Sequence, residues 1–116
     1  MPNSCANPLD QTTMTACAYK DFARADRALN VAWKKALGYW AKLDRNNLTE
    51  RDNAPTYVQA MTKSQRAWVA FRDAQCVVEG QAMRGGSGEP MLAGQCLARL
   101  TKQRTKFLNS LGDGGQ

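Results

Sequence analysis

The sequence predicts an all-α protein: a three-helix bundle with two long antiparallel helices and a shorter third helix, stapled by disulfides. Three observations carry this. Apolar residues recur at steps of three and four in three separate stretches. Clusters of turn formers, Asp44 to Pro55 and Gly85 to Gly88, divide those stretches. No segment sustains the two-residue alternation of a strand. With 116 residues, the chain has the length of one domain with a single core, spanning 1–116.

The lead, 1–11, is rich in Pro and Asn, and Asp10 to Thr13 has the chemistry of a helix start. The first helix follows, with Ala18, Phe22, Ala25, Leu29, Ala32, Ala36, Tyr39 or Trp40, and Leu43 as its apolar stripe. Roughly 30 residues at 1.5 Å each would make it about 45 Å long. Asn53 or Thr56 is placed to cap the second helix, expected from about Pro55 to Met83 and carried by Tyr57, Met61, Trp68, Phe71 and Val78. Gly85-Gly86-Ser87-Gly88 then ends it, since each glycine costs about 1 kcal/mol relative to Ala in a helix interior. That run lacks a following Gly-Lys-Ser/Thr and a preceding strand, so it reads as a loop and not a phosphate cradle. The third helix starts near Glu89, with Leu92, Cys96, Leu100, Phe107 and Leu111 on its apolar side.

Sixteen Lys and Arg against ten Asp and Glu give a net charge of +6, suited to solubility or to anionic partners. No long run of like charge occurs. The densest basic zone, Arg99, Lys102, Arg104 and Lys106, is interleaved with Leu100, Phe107 and Leu108, as on the rim of an amphipathic helix, and no nucleic-acid partner is expected. Cys5, Cys17, Cys76 and Cys96 form no CxxC pair and the chain has no histidine, so neither a zinc site nor any cofactor is expected. Four cysteines allow three pairings. Local pairing, Cys5 with Cys17 and Cys76 with Cys96, is the economical one, each link contributing about 3 kcal/mol in the chain-entropy model. An even cysteine count in a small chain points to an oxidising compartment, periplasmic or secreted. Met1-Pro2-Asn3-Ser4 is no signal peptide, so the chain reads as a mature form with Met1 added. No apolar run approaches the roughly 20 residues of a transmembrane helix.

Gln65, Trp68, Arg72 and Cys76 share one face of the second helix and mix polar groups into a side that should be apolar. Arg72 and Asp73, being adjacent, should look elsewhere for partners: Asp21 or Asp26 for Arg72, and Thr101 or Arg104 for Asp73. The resulting structural polar network comprises Asp26, Arg72, Asp73, Thr101 and Arg104. The alternative, a catalytic carboxylate at Asp73, lacks a histidine, a paired carboxylate or a nucleophile beside a base, and no catalytic residue is assigned. Trp33 and Trp40 lie on one side of the first helix as core anchors or as an exposed partner-binding stripe; with Arg99, Lys102 and Lys106 they are the candidate partner-binding residues.

Cys5 and Cys17 around Gln11 and Met14, then Tyr19, Ala25-Asp26, Leu29-Asn30, Gln65 to Trp68, Phe71 to Ala74, Cys76, Gly85-Gly86-Ser87, Cys96, Thr101 and Arg104 together resemble the LprI-type lysozyme-inhibitor family. The resemblance covers nearly the whole chain and is most specific from Trp68 to Cys76. It implies an exported, disulfide-bonded helical domain without catalytic residues, and lysozyme or another envelope protein as partner. The rival partner is anionic glycan or an acidic protein on the basic helix face. Two departures stand out. Animal-type lysozymes are basic, so a +6 protein meets like charge at encounter. Cys5 has no lipobox and, if paired with Cys17, carries no lipid, so this member is expected to be soluble and not anchored.

Overall fold

The computed structural model describes residues 5–47 and 53–112, and shows three helices: α1 (Gln11–Asn46), α2 (Tyr57–Gly80) and α3 (Glu89–Gly112). A 3-10 turn, Gln81–Met83, extends α2 toward the glycine loop. The all-α bundle and both local disulfides are as the sequence predicts, Cys5 with Cys17 and Cys76 with Cys96. Detail differs at two points. The third helix equals the second at 24 residues each. It is α3, not α2, that lies along α1 over the greatest extent, while α1 and α2 touch least.

Cross-links give the directions. Gln11 donates to Met91 Sδ and Lys102 pairs with Asp21, so α1 and α3 run parallel. Glu79 meets Arg99 and Gln65 meets Arg104, so α2 runs antiparallel to α3. The 36 residues of α1 span about 54 Å, which accounts for the 60 Å length of a molecule 30 and 19 Å across.

Helix starts are secured locally. The Asp10 carboxylate accepts from Thr13 N at 2.7 Å. Thr56 and Gln59 form a reciprocal capping box at α2. Asp44, at the far end of α1, supplies what the capping box leaves: its two carboxylate oxygens accept from Tyr57 N at 2.8 Å and Val58 N at 3.1 Å. Three otherwise orphaned amides of α2 are thereby satisfied, and the α1–α2 hairpin is set by the same bonds. Residues 48–52 of this connection lie outside the described residues.

The α1 stripe of Ala18, Ala25, Leu29, Ala32, Ala36 and Trp40 is buried against α3. Leu29, Ala32, Ala36, Trp40 and Leu108 form the apolar cluster of one half, with Met61, Trp68 and Leu111 packed around it. Of the expected α3 face, Cys96 is buried, Leu92, Leu100 and Leu111 are half-buried, and only Phe107 faces solvent. The buried positions of α3 include Gly94, Cys96, Ala98, Thr101 and Leu108, while Phe107 is 44% exposed. Small residues let the two backbones approach closely: a Cβ at Gly94 would sit 2.9 Å from the Tyr19 ring and 3.1 Å from Ala18 Cβ. On α2, Met61 and Trp68 are half-buried as predicted, but Tyr57, Phe71 and Val78 face solvent. The helix thus presents the Gln65–Trp68–Arg72–Cys76 face inward and an apolar strip outward.

Candidate functional site

Arg72 is the one charged side chain buried among the described residues. Its guanidinium lies over the Phe22 ring of α1 at 5.1 Å and the Trp68 ring of its own helix at 5.3 Å. Trp68 is in turn covered by Arg104 of α3 at 5.6 Å, and Arg104 lies over Phe107 at 4.9 Å. Aromatic and cation alternate through five side chains, Phe22, Arg72, Trp68, Arg104 and Phe107, joining all three helices. Planar guanidinium groups suit this role because they stack on ring faces and shed water more readily than ammonium does. Their polar edges are satisfied as well: Arg104 donates to Gln65 Oε1 at 2.9 Å and Ser64 Oγ at 3.3 Å. Burial lowers the Arg104 pKa from its ordinary value, and an arginine so far above neutrality stays charged.

The partners of Arg72 differ from those expected. Its Nε and Nη2 both reach Asp73 Oδ1 at 2.9 Å, and Nη1 donates to the buried Thr101 hydroxyl at 3.4 Å. Adjacent residues point about 100° apart on a helix, but a long guanidinium can turn sideways to a carboxylate at the rim, where Asp73 is 58% exposed. Asp21 bonds Lys102 instead, and Asp26 is half-buried on α1 with no bond to Arg72. Of the predicted network, Arg72, Asp73 and Thr101 are thus joined directly, Arg104 through Trp68, and Asp26 not at all.

The partner-binding candidates separate. Trp40 is 4% exposed and belongs to the core, edge-on to half-buried Trp33 with ring centroids 5.7 Å apart. It extends the Leu29–Ala32–Ala36 row by a four-residue step, which removes it as a surface contact. The basic zone splits by helix geometry: Arg104 turns to Trp68, while Arg99, Lys102 and Lys106 border a groove of about 280 Å³ with Asp21, Gln95 and Gln103. Two of these cations are already engaged, Arg99 through Nη2 with both Glu79 carboxylate oxygens at 2.7 Å and Lys102 with Asp21 at 2.9 Å.

Asp10 and Glu79 are held below the usual carboxylate range, Asp10 by hydrogen bonds from Thr13 and Glu79 chiefly by the Arg99 bond. Depressed values stabilise the fold above about pH 4, and that contribution is lost as pH falls through the lowered values. A double variant, Asp10→Asn with Glu79→Gln, is expected to melt lower than the parent at pH 6 and to lose less on acidification to pH 2. Thermal melts across that range check this, and equal slopes for parent and variant would contradict it.

The connection between α2 and α3 is exposed at the disulfide-bearing end. Met83, Arg84, Gly85, Gly86 and Ser87 are exposed there. Gly85 adopts φ +80°, a left-handed backbone that favours glycine. Its N–H donates to Glu89 Oε1 at 3.1 Å, Gly86 N to Met83 O at 2.9 Å, and Glu89 N to Gly86 O at 3.2 Å. Met83 folds back on Gly88, where a Cβ would fall 2.4 Å from its methyl carbon.

The model of the family described as "Lysozyme inhibitor LprI" matches residues 4–108. The chain belongs to this LprI family. It is also 36% identical over 113 residues to an uncharacterized protein of Rhizobium meliloti (strain 1021), covering 97% of this chain and 81% of that one. No solved structure matches. The LprI match takes in both disulfides, the whole Phe22–Phe107 ladder and the Gly85–Ser87 turn. No described helix is long and apolar enough to cross a membrane, and no described group of three or more Cys, Asp and Glu is placed to hold a metal ion.

The sequence places all five ladder residues, Phe22 and Phe107 on apolar faces and Trp68, Arg72 and Arg104 in the polar face or network, but not their stacking, which depends on Arg72 and Arg104 acting as flat surfaces and not only as ions. The i, i+4 spacing of Trp68 and Arg72 was the available signal. It also named Gly85 to Ser87 only as a loop; nothing in the sequence alone told how firmly that loop is held.

Proposed function

We propose that this protein is a non-enzymatic, exported inhibitor of lysozyme that works by protein–protein contact. The observation that carries this reading is the match of the lysozyme-inhibitor family model to residues 4–108, all but the last turn of the bundle and both disulfides included. Two disulfides in a chain of this size fit an oxidising compartment outside the cytoplasm. Asp73, the candidate for a catalytic carboxylate, is instead engaged by Arg72 at the surface, which fits a structural role.

The rival reading, a binder of anionic glycan or acidic protein through Arg99, Lys102 and Lys106, has weaker support. Arg99 and Lys102 are neutralised by Glu79 and Asp21, and a carboxylate lies in the groove they border.

Titration of animal-type lysozyme with the oxidised protein, at low and moderate salt, tests the reading. Saturable inhibition near one equivalent that persists at moderate salt is the expected result, because like-charged partners gain nothing from long-range steering. Full lysozyme activity at large excess would refute it.

A further inference from the structure

Resting on the inhibitor reading, we propose that the Arg84–Ser87 turn is the element that enters the lysozyme cleft, with the Arg84 guanidinium seated on the enzyme's catalytic carboxylates. Rigidity is the first argument. The Cys76–Cys96 bond joins the helices on either side of this turn. Gly94 of α3 lies against Ala18 and Tyr19 of α1, so Cys5–Cys17 is at the same end. Both covalent staples therefore hold the end that carries the turn, and neither holds the Asp44–Pro55 end. Backbone bonds from Arg84 N to Gln81 O, Gly86 N to Met83 O and Glu89 N to Gly86 O hold the turn itself. A contact element fixed beforehand loses little conformational entropy on binding.

Shape and charge are the second argument. Gly85 and Gly86 carry no side chains, so the tip is thin, and Arg84 and Ser87 are what project from it. Among the described residues no hydrogen bond or ion pair occupies the Arg84 guanidinium; other surface cations such as Arg66 and Lys106 are also free, but Arg84 is the one carried on this turn. Glycosidases carry two carboxyl groups about 5 to 9 Å apart across the scissile bond, and a guanidinium fork is the side chain best matched to a carboxylate. The charge mismatch then resolves locally: a +6 protein that is repelled by a basic enzyme at long range still finds negative charge inside the cleft.

The test compares inhibition constants of the parent, Arg84→Glu, Arg84→Lys and Phe71→Ser against animal-type lysozyme, with circular dichroism melts as fold controls. Losing a desolvated charge pair should raise the constant about 30-fold or more for Arg84→Glu. Arg84→Lys should weaken inhibition by less, and Phe71→Ser on the outer α2 face should leave it unchanged. A chito-oligosaccharide occupying the cleft should displace the parent protein competitively. Parent inhibition with an unimpaired Arg84→Glu, or with no oligosaccharide competition, overturns the loop assignment and leaves the inhibitor reading standing. A parent that does not inhibit overturns both.

Discussion

Replacing Arg72 by Ala is expected to destabilise the fold by about 3 kcal/mol, lowering the thermal midpoint by about 10 °C. The change removes two ring contacts, to Phe22 and Trp68, and strips the buried Thr101 hydroxyl of its donor. Little of the loss should come from the ion pair, since Asp73 is 58% exposed and water can replace its partner. Arg72→Lys distinguishes stacking from charge. It keeps the cation but loses the flat face and the fork, and should recover less than half of the stability. Urea denaturation of the three proteins measures this. Full recovery by lysine would mean that charge alone matters at this position, and a change below 0.5 kcal/mol for alanine, within the ordinary range of surface substitutions, would remove the ladder from the account.

Reduction of both disulfides should have the largest effect. Loops closed over 12 and 20 residues each contribute about 3 kcal/mol in the chain-entropy model, against a total of about 5 to 15 kcal/mol for a typical domain. The two links should not weigh equally. Cys5 lies in the lead before α1, so loss of its bond to Cys17 frees a short segment that can detach while the bundle persists. Cys76–Cys96 ties the last turns of α2 to α3, and the other buried positions of α2 are only Arg72 and Gly80. A Cys76→Ala, Cys96→Ala variant is therefore expected to lose about 3 kcal/mol globally. The Cys5→Ala, Cys17→Ala variant should lose less and gain hydrogen exchange mainly in the first turn of α1. Equal global losses would show that the lead is integral to the core.

Much of this architecture was legible because its signals are local. The turn-forming residues before periodic apolar runs place a helix start at Asp10 to Thr13 and a cap at Asn53 or Thr56, and Asp10 and Thr56 are the caps. The α1 stripe was readable because Leu29 and Trp40 stand out among alanines at helical spacing. What the sequence hid depends on tertiary partners. Part of the α3 seam escaped because Gly94, Ala98 and Thr101 carry little hydrophobic signal, yet all three are buried, and Gly94 lies directly against Ala18 and Tyr19 of α1. Asp44 read as part of a turn, whereas its carboxylate caps a helix 13 residues away. The candidate site was less visible still. Arg84 gives no periodic or motif signal, and its interest arises only from being unpaired on a turn pinned by Glu89 and flanked by two disulfide-held helices.

The most direct test of where this protein acts is an amide chemical-shift map of the isotope-labelled, oxidised protein titrated with animal-type lysozyme. The strongest perturbations are expected on Met83, Arg84, Gly85, Gly86 and Ser87, with the outer α2 residues Phe71, Val77 and Val78 unaffected. Perturbations centred on that α2 face or on the Arg99–Lys102–Lys106 groove, or none at stoichiometric lysozyme, would contradict this expectation.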